Sequence, residues 1–371
     1  MRDMSARLLI VLGLLLGACS GGAGSPPAAP AKGADAPAAP PAAAPAAAAA
    51  SQPPGPLTQV RGGMLPSILS APIFAGVDVG IYQQNGLDVQ VEPFTSTGDM
   101  LALIAGGRLE FGQVTMGAAA FNAYNRGVDL VIGGSGPLAL LSLLIRKDLY
   151  DSGAIRSTRD LKGTRFALNG RGTIIEWMQA KVLEKGGLTP ADVEAPILPW
   201  PDQVTALGNR AIDVGFVGEP LGSLAVARDV AVILEEREPG QADPWYAPNA
   251  QGSMIMLNRT WAEANPAAAT AVLKSYVQAA RRFQGTRINE DEPALASIEK
   301  WVNVKPDVVR QAAPPLWALN GRVHVETLTE VQRYFIDAGA TDYQQPIPLD
   351  RMYNDRWLNE ALREIGVVPE S

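Results

Sequence analysis

The chain has 371 residues, 47% of them apolar, enough for two domains with cores of their own. Charged residues make up 19% and the net charge is -7, which argues against a nucleic-acid-binding surface. One Cys and one His exclude an internal disulfide, a zinc finger and a Cys–His dyad, and no metal or cofactor is expected.

Arg2 and Arg7 flank the start of an apolar run, "LLIVLGLLLGA". It is shorter than the roughly 20 apolar residues that span a bilayer. A charged start and an apolar middle are the marks of a secretory signal. The run ends in "LGAC" at 16–19. Small residues before Cys19 resemble the lipobox of bacterial lipoproteins. The resemblance implies removal of residues 1–18 and acyl chains, palmitate among them, on Cys19. Residues 19–56 are then almost wholly Ala, Pro, Gly and Ser, a composition that cannot bury enough apolar surface to fold. As a flexible coil such a tether reaches roughly 35 Å. It puts the folded part outside the cytoplasm, in the periplasm or at the outer face of the cell membrane. Ser20 is unlike the Asp that retains lipoproteins at the inner membrane, so an outer-membrane location stays open in a Gram-negative cell.

From 58 onward strands alternate with helices. A strand leads to the loop "SILSAP" at 67–72 and the helix "IFAGVDVGIYQQ". A glycine ends that helix and the alternating strand "LDVQV" follows. Phe94 continues the alternation of Val89 and Val91 and reads as core. Next come "STGDMLALI", a helix with Asp99 suited to its N-terminus, and the strand "LEFGQV" at 109–114.

The same order returns at 164–220. "RFALNGRGTIIEWMQAKVLEKGGL" reads as strand, glycine turn and helix, and "IDVGFV" at 212–217 matches "LEFGQV" at an offset of 103 residues. At that offset Asp202 matches Asp99. Two such units predict an α/β fold of duplicated architecture. Ligands of open α/β sheets sit beyond the carboxyl ends of the strands. The loops 67–73, 95–98 and 115–117 of unit one and 169–174, 199–202 and 218–220 of unit two are therefore expected to face one site. The glycine turn is not a nucleotide fingerprint: Ile175 stands where G-x-G-x-x-G needs a small residue, and no G-x-x-x-x-G-K-[ST] occurs.

Beyond the second unit, Pro266 suits the first turn of the helix "PAAATAVLKSYVQAARRFQ", and Gly339 stops "VETLTEVQRYFIDAG". His324, in "GRVHVETL", reads as a solvated or satisfied histidine.

The motifs "GIYQQNGLDVQV", "AGGRLEFGQV", "DLKGTRFAL", "VLEKGGLTPADVE", "AIDVGFVGEP" and "VLKSYVQAARRF" occur in the order found in one family. Over about 57–367 the chain resembles the nitrate/sulfonate/taurine and thiamine-pyrimidine-precursor solute-binding proteins of ABC importers. The resemblance implies a type II periplasmic binding protein fold, two α/β lobes joined by two crossing strands. Lobe one is expected at 57–142 plus 253–371 and lobe two at 143–252, with "LLSLLIRKDL" and "QGSMIMLNRTW" as crossovers. It implies a monomer that binds a small-molecule solute and docks on an ABC permease, and through it an ATPase. A sensor or scaffold lipoprotein, or an enzyme like the pyrimidine-synthesis branch of the family, are the alternatives. The enzyme is disfavoured by the shortage of His and Cys.

Carried over by position, the implied contacts are Ser70, Thr95, Ser96, Thr97, Thr115, Ser135, Arg171, Gly172, Thr173 and Glu219. Backbone N–H groups at Gly172 and Thr173 would suit an anionic group; Thr173 reads equally as an N-cap. Arg171 could meet a carboxylate or sulfonate in a bidentate way, or be an exposed loop arginine. Glu219 could bind a ligand donor or make a salt bridge between lobes. Trp177 and Trp200 suit a flat ligand or serve packing, and Trp245 and Tyr246 are also suggestive. Gly218, where the family often has an aromatic residue, is expected to leave room in the pocket.

Overall fold

The computed structural model describes residues 56–138, 140–238 and 244–368; the segments expected to be a signal and a tether, with Cys19, lie outside the described residues. Eight strands are β1 (Thr58–Met64), β2 (Leu87–Pro93), β3 (Phe111–Thr115), β4 (Leu130–Ser135), β5 (Ser142–Arg146), β6 (Val214–Val217), β7 (Ala231–Ile233) and β8 (Ser253–Asn258). The first sheet has the order β2-β1-β3-β8-β4 and the second β6-β5-β7. In the first, β1 runs parallel to β2 and β3, and β8 lies antiparallel between β3 and β4. In the second, β5 lies antiparallel between β6 and β7. Two further segments extend it in parallel: Phe166 pairs with Val214, Arg165 with Glu194 and Leu168 with Ile197. The second half therefore repeats the order of the first, with β5 in the place of β8.

The repeat also explains its own acid. Glu110 of "LEFGQV" accepts from the backbone N–H of Arg61 (2.6 Å) and from its guanidinium Nη2 (2.6 Å). Asp213 of "IDVGFV" does the same with Arg165, at 2.9 Å and 2.7 Å. Each arginine then reaches one carbonyl in the preceding helix-to-strand turn, Gly107 for Arg61 and Arg210 for Arg165. The acid thus ties the first strand of a unit to its third. Asp99 and Asp202 sit in the first turns of helices Thr97–Ala105 and Trp200–Gly208 as charges rather than caps; the cap of the former is Ser96.

The two connections pair with each other: Gly136 N–H donates to Ser253 O (2.9 Å), Gly252 N–H to Pro137 O (3.0 Å), and Leu138 bridges Gln251. The crossing is therefore earlier than the expected 140–149. Residues 142–146 and 253–258 are already the antiparallel strands inside the two sheets.

One core lies on one face of the first sheet and includes Phe74, Phe111, Leu257, Tyr276 and Trp357. Helix Pro266–Phe283 supplies Val272, Leu273, Tyr276 and Val277 to it from a period-3.6 stripe. A second core runs without a break from the first lobe (Ile104, Val114, Phe121) into the second (Phe166, Trp177, Phe216), so the lobes share buried surface. His324 is the N-cap of helix Val325–Asp337: its Nδ1 accepts from the Thr327 N–H (3.3 Å), which makes it a satisfied histidine.

Candidate functional site

A cavity of about 380 Å³ opens beside the crossing. From the first lobe it takes the loop 67–69 after β1; from the second, Trp200, Gly218, Glu219 and the residues after β7; and from the crossing itself, the chain leading into β5. Trp245 and Tyr246, ahead of β8, form one wall, and the loop 312–316 another.

The aromatic wall is built edge to face. Trp245 and Tyr246 have ring centroids 5.3 Å apart at 81°, and Tyr246 meets Phe216 at 5.2 Å and 71°. The Tyr246 Oη accepts from the Leu141 N–H (3.0 Å), which fixes the ring against the crossing. Trp200, the first residue of its helix, lies over Gly218: a Cβ there would come within 2.9 Å of the indole ring. Gly218 therefore does not leave space for the solute; its missing side chain is the space that Trp200 fills. Gly218→Val is expected to displace the indole and cost about 1–3 kcal/mol, the usual cost of overpacking. Denaturant unfolding followed by tryptophan fluorescence reads both effects, and an unchanged midpoint and spectrum would refute the close packing.

Glu219 is the polar centre. Its Oε1 accepts from Ser142 Oγ (3.0 Å) and its Oε2 from the Ser223 N–H (3.2 Å). A carboxylate has about four acceptor positions, so capacity remains. Gly222 makes the arrangement possible, because a Cβ on it would overlap Ser142 Oγ and Glu219 Oε1. Two lining residues carry buried polar atoms with no partner, Nε1 of Trp200 and Oδ1 of Asn289.

Of the expected contact residues, Trp200 and Glu219 line this cavity, and the other ten do not. Ser70 is buried at the start of helix Ala71–Asp78, next to the lining loop. Thr95 is exposed, Ser96 caps its helix by accepting from the Asp99 N–H (3.4 Å), and Thr97 is the first helical residue. Thr115 ends β3 opposite Ser253. Ser135 donates its hydroxyl to Gly136 O (3.1 Å).

The glycine loop differs most from expectation. The Gly172 N–H donates to Glu176 Oε2 (2.6 Å), Arg171 pairs with Glu176 Oε1 (2.8 Å), and Thr173 Oγ1 donates to Gly170 O (2.9 Å) instead of capping the helix. An internal carboxylate one turn along, only 11% exposed, thus occupies two of the donors expected to meet an anion, those of Arg171 and Gly172. Trp177 is core, 2% exposed. The loop is also sewn to the other lobe: Ala118 N–H donates to Gly172 O (2.9 Å) and Ile174 N–H to Met116 O (3.0 Å). Met116, Ile174, Leu328 and Val331 surround about 10 Å³ there, less than a water molecule fills comfortably.

Ser142, Asn289 and the loop 312–316 had no signal in the sequence. Asn289 lies in a polar stretch, "TRINEDEP", and the loop reads as ordinary Ala and Pro.

Residues 53–298 match the model of the NMT1-like family. No curated protein matches the chain. Among solved structures, the periplasmic aliphatic sulphonate binding protein SsuA from Escherichia coli is 18% identical, with 79% of this chain and 91% of that one covered, at a TM-score of 0.62. The periplasmic nitrate-binding protein NrtA from Synechocystis PCC 6803 is 16% identical over 85% and 92%, at 0.66. The desulfurization enzyme DSZB is 15% identical over 83% and 99%, at 0.58. The sheet order, the paired crossing and these matches together place the chain in the NMT1-like family, on the type II periplasmic binding protein fold.

Proposed function

We propose that the chain is an extracytoplasmic receptor that captures a small organic solute in the cavity at the crossing and hands it to an ABC importer. The observation that carries this reading is the cavity: about 380 Å³, lined by Trp200, Trp245, Tyr246 and Glu219. Volume and lining are those of a small-molecule site, mostly apolar with a few placed polar groups. Its ionisable lining is Glu219, Glu235 and Arg237 with Tyr246, and His324 is committed to a helix cap, which favours a binding role over catalysis by a His or Cys nucleophile. The neighbours named for binding sulphonate or nitrate support a transport role, although they share with this chain, like the desulfurization enzyme, the fold alone.

In this reading the lobes are 57–142 plus 253–371 and 143–252, hinged at the paired crossing, and the solute favours the closed arrangement by its differential affinity. Acyl chains on Cys19 hold the receptor, a monomer, at a membrane, and the tether raises its concentration at the permease.

The test is a thermal-shift screen of the purified full chain against sulfonates, aromatic carboxylates, aromatic amines and amidines, pyrimidines and nitrate. A solute at 100-fold over its Kd stabilises by about 2.7 kcal/mol. That is expected to raise the Tm by roughly 5–10 °C. Trp200→Ala is expected to weaken such a solute about 10- to 100-fold, the loss of a central aromatic contact. A solute held equally well by the variant would place its site elsewhere.

A further inference from the structure

We infer that the solute of this cavity is a flat, largely apolar molecule bearing a nitrogen donor group, neutral or positively charged, rather than an oxyanion. The inference rests on the receptor reading and narrows its ligand class. Two carboxylates, Glu219 and Glu235, and one guanidinium, Arg237, line the cavity, and Arg237 is already engaged with a partner. Glu219 accepts from two neutral donors, Ser142 Oγ and the Ser223 N–H, with no cation among its described partners, so its charge is left for the occupant to meet. A solute donor satisfies it, and a carboxylate or sulfonate on the solute is repelled by it.

A donor is thus requested at Glu219, beside the aromatic side chains of Trp200, Trp245 and Tyr246, which suit a planar body. Two of the donors expected to meet an oxyanion, the Arg171 guanidinium and the Gly172 N–H, are held by Glu176 outside the cavity lining.

The test is isothermal titration calorimetry of the full chain with benzamidine and 2-aminopyridine against the matched anions benzoate and benzenesulfonate. The expected result is that the nitrogen donors bind at least about 10-fold more tightly than the anions, and that Glu219→Gln removes most of that preference. If Glu219→Gln proves unfolded by its thermal melt, Glu235→Gln is expected to narrow the preference about threefold. Tighter binding of the anions, or a preference untouched by both variants, overturns the inference and leaves the receptor standing. Absence of heat from all four probes, with no stabilisation in the melt, removes the cavity as the solute site and the inference with it.

Discussion

Asp213→Asn is expected to destabilise the chain by about 2–3 kcal/mol, the low end of what removing one member of a buried ion pair costs, because Arg165 is 38% exposed. Asp213 itself is 15% exposed and stands between two guanidiniums, Arg165 and Arg146, each at 2.7 Å. Asparagine leaves those two cations facing one neutral oxygen and takes away the tie between the first and third strands of the second unit. The melting temperature should fall by roughly 5–10 °C.

The acid limb tests the same contact. Burial raises the Asp213 pKa, but the hydrogen bonds from the Arg165 side chain and backbone and the charges of Arg165 and Arg146 outweigh it, and the net shift is below 3.8. A lowered folded-state pKa means that the contribution is complete above about 3.8 and is lost as pH falls through the lower folded value. The gap in stability between the natural chain and Asp213→Asn should therefore be full at pH 6 and narrow below about pH 4. A gap that stays constant across that window would show that the carboxylate charge contributes nothing.

Gly117→Val is expected to part the lobes along the seam between 116–118 and 172–174. Gly117 has an extended backbone, φ 179°, so no backbone strain is involved. The obstacle is contact: a Cβ at 117 would overlap the carbonyl oxygen of Gly172, the atom that accepts from Ala118 across the seam. Both seam hydrogen bonds are at stake, together about 1–3 kcal/mol, or roughly 5- to 150-fold in the ratio of closed to open forms. Small-angle scattering is expected to show a larger radius of gyration for the variant than for the natural chain, with the difference reduced by a bound solute. Superimposable profiles would mean that the shared core, not the seam, holds the lobes together. Lys181 and Glu330, paired at 2.9 Å across the same face, are too exposed to replace the lost contacts.

Much of the fold was legible from periodicity and from one six-residue repeat. "LEFGQV" and "IDVGFV" became β3 and β6, and their acids became matching clamps on Arg61 and Arg165. The helix at 266–283 and the glycine stop after 325–337 followed from a proline, a 3.6-residue period and a positive-φ glycine. These features depend on residues near one another along the chain, so local chemistry suffices to set them.

The site was legible only in part, and the division has a physical cause. Trp200 and Glu219 were marked by their loops, and Trp245 and Tyr246 by their type. Sequence could not show that Glu176 reaches back to close the loop at 171–173, because a glutamate one turn into a helix is ordinarily a solvated charge. Nor could it show that Gly218 is filled by Trp200, or that Asn289 and residues 312–316 come round from the far end of the chain to complete the cavity. The repeat and the succession of strands and helices within it were determined by the sequence alone, since each rests on patterns within a segment. Which loops are packed shut and which line the cavity was decided by the tertiary structure, since that depends on side chains and backbone from different elements competing for the same volume and the same hydrogen-bond donors.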